Sequence, residues 1–127
     1  MRTRIAAVAL AALGALALAA PSAAASPAAD DNEVRIYSPS GVILVDCGPV
    51  GPGLPTHPHQ KEVCSEISDA KGDIASIPPL PGQGCTDVWD PVLIGVTGRM
   101  DGKEILFSEF QSNSGCAAIS HGHVFLY

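Results

Sequence analysis

Four cysteines, Cys47, Cys64, Cys85 and Cys116, constrain this chain more than any other feature. All four follow an export signal. Met1-Arg2-Thr3-Arg4 is a positive leader, Ile5 to Ala20 is an apolar Ala/Leu-rich run, and Ala23-Ala24-Ala25 offers a small-residue cleavage site, so residues 1–25 read as a secretory signal peptide and the protein as secreted. The apolar run is too short, and too closely followed by that site, to be a membrane span. About 100 residues remain, enough for one domain with one modest core. An even cysteine count in a small exported chain implies two disulfides. Three pairings are possible; the sequential one, Cys47–Cys64 with Cys85–Cys116, is the simplest. Each bridge stabilises by roughly 3 kcal/mol through loop closure in the unfolded chain. Zinc is the rival use of such residues, but there is no CxxC pair and His57, His59, His121 and His123 are not at zinc-finger spacing from the cysteines. Neither a metal nor a cofactor is expected.

Without Arg2 and Arg4 the chain keeps 5 Lys and Arg against 13 Asp and Glu, a net charge of −8. That balance argues against nucleic acid and anionic membranes as partners, and otherwise serves solubility.

Residues 26–33 are small, polar and acidic and read as a loose tail, leaving 34–127 as the domain. Val34 to Tyr37 suggests a short strand, and the β-branched run GVILVD, Gly41 to Asp46, a stronger one. GPVGPGLPTHP follows, with four prolines and three glycines, and is a long rigid loop. A helix is expected from about Thr56–Pro58, with proline in its first turn, to Lys71-Gly72, burying Val63, Cys64 and Ile67. Asp73 to Ile77 suggests a further short turn, and IPPLPGQG a second proline-rich loop. Val92 to Thr97 and Lys103 to Phe110 read as strands joined through Gly98–Gly102, Gln111 to Gly115 as a polar turn, and His123 to Tyr127 as a final strand. About five strands in sequential hairpins, with one or two helices, predict an α+β fold with an antiparallel sheet and helices on one side. The chain has no internal repeat, no G-x-S-x-G, no phosphate loop and no HExxH, and no nucleophile–base pair is visible, so it is not read as an enzyme.

Four segments, in order, resemble the Streptomyces subtilisin inhibitor family: THPHQKEVCSEISDAKGDIASI; CTDVWDPVLIGVTG; Asp101-Gly102-Lys103 with the strand after it and Asn113 before Cys116; and His121-Gly122 with Val124-Phe125. The resemblance covers the mature chain. It implies a five-stranded antiparallel sheet with two short helices on one face, the disulfides Cys47–Cys64 and Cys85–Cys116, a homodimer formed through the sheets, and reversible inhibition of subtilisin-type serine proteases. It also places the reactive bond two residues after the third cysteine, at Asp87–Val88, making Thr86 P2, Asp87 P1, Val88 P1′ and Trp89 P2′.

Such a loop inhibits by being rigid, since preorganised backbone avoids ordering costs and held ends religate. Here Gly84 and Cys85 open the contact loop, Cys85 tethers it, Asp90-Pro91 leads out of it with proline fixing φ, and Asn113 could brace its backbone. Asp87 departs from the resemblance, in which P1 is commonly Met, Lys or another long residue, and Thr86 stands where proline is usual. An unpartnered carboxylate in an apolar pocket costs several kcal/mol. Two targets follow: an acid-preferring serine protease with a cationic or hydroxyl-lined pocket, or a subtilisin bound weakly with help from Trp89. The alternative is a secreted scaffold or interaction protein of the same fold that has lost inhibition. Ordinary readings stand beside these. Asp87 is then a solvated loop residue, Trp89 packs on the sheet, Asp90 caps a turn, and the four histidines sit on surface loops.

Overall fold

The computed structural model describes residues 31–49 and 56–127. The expected signal peptide, most of the expected N-terminal tail and much of the first proline-rich loop lie outside the described residues.

Four strands form one antiparallel sheet: β1 (Glu33–Ser38), β2 (Gly41–Asp46), β3 (Val92–Met100) and β4 (Lys103–Gln111), in the order β2-β1-β3-β4. β1 starts at Glu33, just before the expected boundary, and β3 outlasts its expected end at Thr97. The β3–β4 connection is tighter than the expected Gly98–Gly102. Met100 pairs with Lys103, so only Asp101 and Gly102 turn the chain, at φ 51° and 74°. Positive φ at both central residues is the turn whose twist matches the strands, and Asp-Gly supplies it cheaply. Gly98 sits inside β3 opposite Val34 because β1 passes so close. A Cβ there would overlap the Glu33 carbonyl and lie 2.8 Å from Val34 Cα.

Alternation divides the sheet. Val34, Ile36, Val45, Ile94, Val96 and Ile105 face inward and are buried. Against them pack Val63 and Ile67 of α1 (Gln60–Asp69), Ile74 of the 3-10 turn Ile74–Ser76, and Ala117 of α2 (Ser114–Ile119). Helix α1 starts after Pro58 rather than around it, with His59 as its N-cap. It ends at a left-handed residue one position earlier than the expected glycine. Lys71 has φ 54°, its N–H donates to the Ser68 carbonyl, and the Gly72 N–H donates to the Ile67 carbonyl. Both disulfides are sequential: Cys47–Cys64 ties β2 to α1, and Cys85–Cys116 ties the second proline-rich loop to α2.

The fifth strand does not form. His123 to Tyr127 runs as turns, with the Val124 and Leu126 N–H groups donating to the His121 and His123 carbonyls. Val124 and Phe125 are both buried, at 0% and 2% exposure. Adjacent residues of a strand point to opposite faces, and a coil that wraps the core edge is what lets both point inward. The Tyr127 hydroxyl closes the wrap on the Gly41 carbonyl at 2.9 Å.

The histidines correct a second expectation. His57 is 1% exposed and His121 7%. The His57 ring donates from Nε2 to the Val124 carbonyl at 3.2 Å and accepts the His59 N–H at Nδ1, so a neutral ring suits its site. Burial pushes its pKa below the ordinary 6.5. The unfolded chain therefore takes up this proton first. The stability His57 contributes is present above pH 6.5 and is lost as the pH falls toward its depressed folded value. Thermal melts between about pH 4 and 7 should show a declining Tm, and a His57→Gln variant should decline less steeply. Equal slopes would remove His57 from the account.

Among the described residues no helix is long and apolar enough to cross a membrane.

Candidate functional site

The segment from Pro81 to Pro91 is exposed along its whole length. Its sequence explains why it stands clear of the core: three prolines and two glycines in IPPLPGQG after Ile77 deny it a strand or helix. Its shape is imposed from behind. Leu80, 9% exposed, anchors the incoming limb, and its N–H donates to the Ile119 carbonyl at 3.0 Å. Cys85 is bonded to Cys116, with Cα atoms 5.0 Å apart. On the outgoing limb the Asp90 N–H donates to the Ser112 carbonyl at 2.8 Å, and β3 begins at Val92.

Asn113 joins these supports. It is 6% exposed, and its amide serves two structures at once. Oδ1 accepts the Cys116 N–H at 2.9 Å, which makes Asn113 the N-cap of α2. Nδ2 donates both protons to the loop, to the Thr86 carbonyl at 3.0 Å and to the Val88 carbonyl at 2.9 Å. The two contacts span Asp87. Turned inward, those carbonyls leave the side chain between them pointing away. The Asp87 carboxylate makes no side-chain hydrogen bond or ion pair among the described residues. Val88 and Trp89 are 60% and 79% exposed, so Trp89 does not pack on the sheet. Asp90 contributes its backbone N–H, and its carboxylate caps no turn among the described residues.

The sequence therefore marks the loop, the tether and the amide. It does not mark α2, read there as a polar turn running into Cys116, although Asn113 before Ser114-Gly115-Cys116 is an N-cap pattern. Nor does it mark Ser112, whose contribution is a main-chain carbonyl and so leaves no side-chain signature.

Among the described residues no group of three His, Cys, Asp or Glu side chains could hold a metal ion. A braced, exposed segment on a small disulfide-bonded α+β scaffold is the arrangement expected of a protein that presents a loop to a partner. Residues 20–113 match the family described as subtilisin inhibitor-like, and the chain belongs to that family. It is 30% identical over 105 residues to plasminostreptin of Streptomyces antifibrinolyticus, covering 83% of this chain and 94% of that one. It is likewise 30% identical over 106 residues to a subtilisin inhibitor of Streptomyces albogriseolus, covering 84% and 72% of the two chains. Sermetstatin of Streptomyces caespitosus, solved in complex with Bacillus licheniformis subtilisin, shares the fold at a TM-score of 0.54 and 18% identity, covering 75% of this chain and 94% of that one. The family is one of subtilisin inhibitor-like proteins, and the chain is not an enzyme.

Proposed function

We propose that the chain is a secreted standard-mechanism inhibitor of serine endopeptidases with Asp87–Val88 as its reactive bond. The observation that carries this is the Asn113 amide, which holds one carbonyl before that bond and one after it. Bound to a protease, the exposed backbone pairs along the active-site cleft as an added strand. If the bond is cut, the Cys85–Cys116 bridge and the two amide contacts keep the new ends together, and religation competes with release. Preordering the loop also removes the entropy cost a flexible substrate bears on binding.

Asp87 at P1 selects the target. Its free carboxylate suits a pocket lined by a cation or by hydroxyl donors, and an apolar pocket receives it only at the cost of desolvation. The proposed partner is therefore an acid-preferring serine protease. Subtilisin-type enzymes, which relatives are named for inhibiting, are the weaker partner, held through Trp89. Titrating the mature chain against subtilisin, trypsin, chymotrypsin and an acid-specific serine protease tests this. Stoichiometric loss of the acid-specific activity is expected, with slow cleavage at Asp87–Val88 seen by mass spectrometry. Rapid turnover at that bond by every enzyme, without inhibition, would sink the proposal and leave the non-inhibitory scaffold reading.

The sheet face away from the helices carries Val42, Leu44, Leu93, Leu106 and Phe110, exposed at 61%, 41%, 55%, 84% and 74%. Exposed apolar side chains gathered on one sheet face suit a pairing surface, and we assign it to a homodimer formed sheet against sheet. Changing Leu106 and Phe110 together to glutamate should give a monomer by light scattering after size exclusion, with the far-UV spectrum retained. A persistent dimer would place the interface elsewhere.

A further inference from the structure

The incoming limb of the loop is held at a turn that also gathers two carboxylates. His121 has both ring nitrogens facing atoms that only accept hydrogen bonds: Nδ1 lies 3.2 Å from the Ile77 carbonyl oxygen and Nε2 lies 2.6 Å from Glu109 Oε1. A neutral imidazole has one N–H and can satisfy one of these; only the doubly protonated ring satisfies both. His57, with one donating and one accepting nitrogen, is the opposite case. Phe107 and Phe125 stand edge-on to the His121 ring, with centroids 5.2 and 6.0 Å away, and reduce its access to water. Both contacts lie in a poorly hydrated setting, where hydrogen bonds are strengthened.

What His121 holds is the start of the loop. Ile77 opens IPPLP, the next residue accepts the Gly122 N–H through the Pro78 carbonyl at 2.8 Å, and Leu80 donates to Ile119. Three successive attachments thus run from the His121 turn and the end of α2 to the limb that leads to Cys85.

The charged groups around the turn come from β4 and α1. Glu109 of β4 accepts from His121 and also from Gln111 Nε2. Glu66 of α1 lies against Gly122, but its carboxylate is taken by His123, through Nδ1 at 2.7 Å and the backbone N–H at 2.8 Å. Asp69, also on α1, borders the same depression beside Ile77 and Pro78. Glu109 is the carboxylate that His121 faces.

We infer that His121 is a positioning residue for the inhibitory loop. By bridging Glu109 and the Ile77 carbonyl it pins the incoming limb, and loss of that bridge loosens the limb. The inference rests on the proposed reading of the loop, but its test does not require a protease.

Amide hydrogen exchange of the mature chain reads the claim. In His121→Gln the exchange protection of the Leu80 and Gly122 amides, relative to Val96 in the sheet, should fall by about tenfold, the scale set by losing one hydrogen bond. Glu109→Gln supplies the control. Its side-chain amide can still bond the ring, so relative protection of the limb should be kept. Glu109→Ala, which leaves the ring unbraced, should lower it. Unchanged relative protection in His121→Gln, or its loss in Glu109→Gln, would overturn the inference. A protease panel with no inhibition counts against the inhibitor reading alone, because the amide protection decides the role of His121.

Discussion

Replacing Asp87 with methionine should tighten inhibition of subtilisin by about a hundredfold or more and abolish inhibition of an acid-specific serine protease. The loop makes this a clean substitution. Asp87 is exposed and its carboxylate has no partner among the described residues, so removing it breaks nothing in the free protein. The backbone on either side is held by the Asn113 amide, which the change does not touch. The effect therefore falls on the complex. Burying an unpaired carboxylate in an apolar pocket costs several kcal/mol, and each 1.4 kcal/mol is worth tenfold in affinity. Inhibition constants for both enzymes measure the switch. An unchanged subtilisin constant would show that Asp87 does not enter the specificity pocket, and would move the reactive bond.

Asn113→Asp should convert the inhibitor toward a substrate with little loss of fold stability. The two halves of the amide do different work. Oδ1 caps α2 through the Cys116 N–H, and an aspartate keeps that acceptor at a helix N-terminus, where negative charge is welcome. Nδ2 holds the Thr86 and Val88 carbonyls, and a carboxylate oxygen in its place donates nothing to either. Loss of two part-buried hydrogen bonds, at about 1 kcal/mol each, should weaken inhibition by about thirtyfold and speed cleavage at Asp87–Val88, while Tm moves by only a few degrees. Asn113→Ala removes the cap as well and should lower both. Tight binding retained by Asn113→Asp would assign the stiffness to the Cys85–Cys116 bridge alone.

Much of this protein can be read along the chain because it depends on local pattern. GVILVD, VLIGVTG and KEILF declare strands through β-branched and apolar alternation, and the observed β2, β3 and β4 lie on them. Val63 and Ile67 declare the buried stripe of α1 by their spacing. Four cysteines in a short chain declare two bridges, and the prolines before Cys85 declare that the next segment cannot be regular structure.

Tertiary structure decided the rest, and in each case the deciding partner was distant in sequence. HVFLY has the composition of a strand, but Val124 and Phe125 are both drawn into the core and the edge strand β2 is closed instead by side chains. Thr56 and Gln60 reach the Leu44 and Asp46 carbonyls and Tyr127 reaches that of Gly41, leaving a fifth strand no place there. His57 and His121 look like surface residues because polarity predicts exposure. They are buried because carbonyls of Val124 and Ile77, 67 and 44 residues away, satisfy their rings. Sequence alone therefore determined four strands, the main helix, the number of bridges and which loop stands free. Whether that loop is rigid was decided by groups 25 to 27 residues from it, chiefly the Asn113 amide, because hydrogen bonds that hold a backbone from behind follow proximity in space and leave no periodicity in the chain.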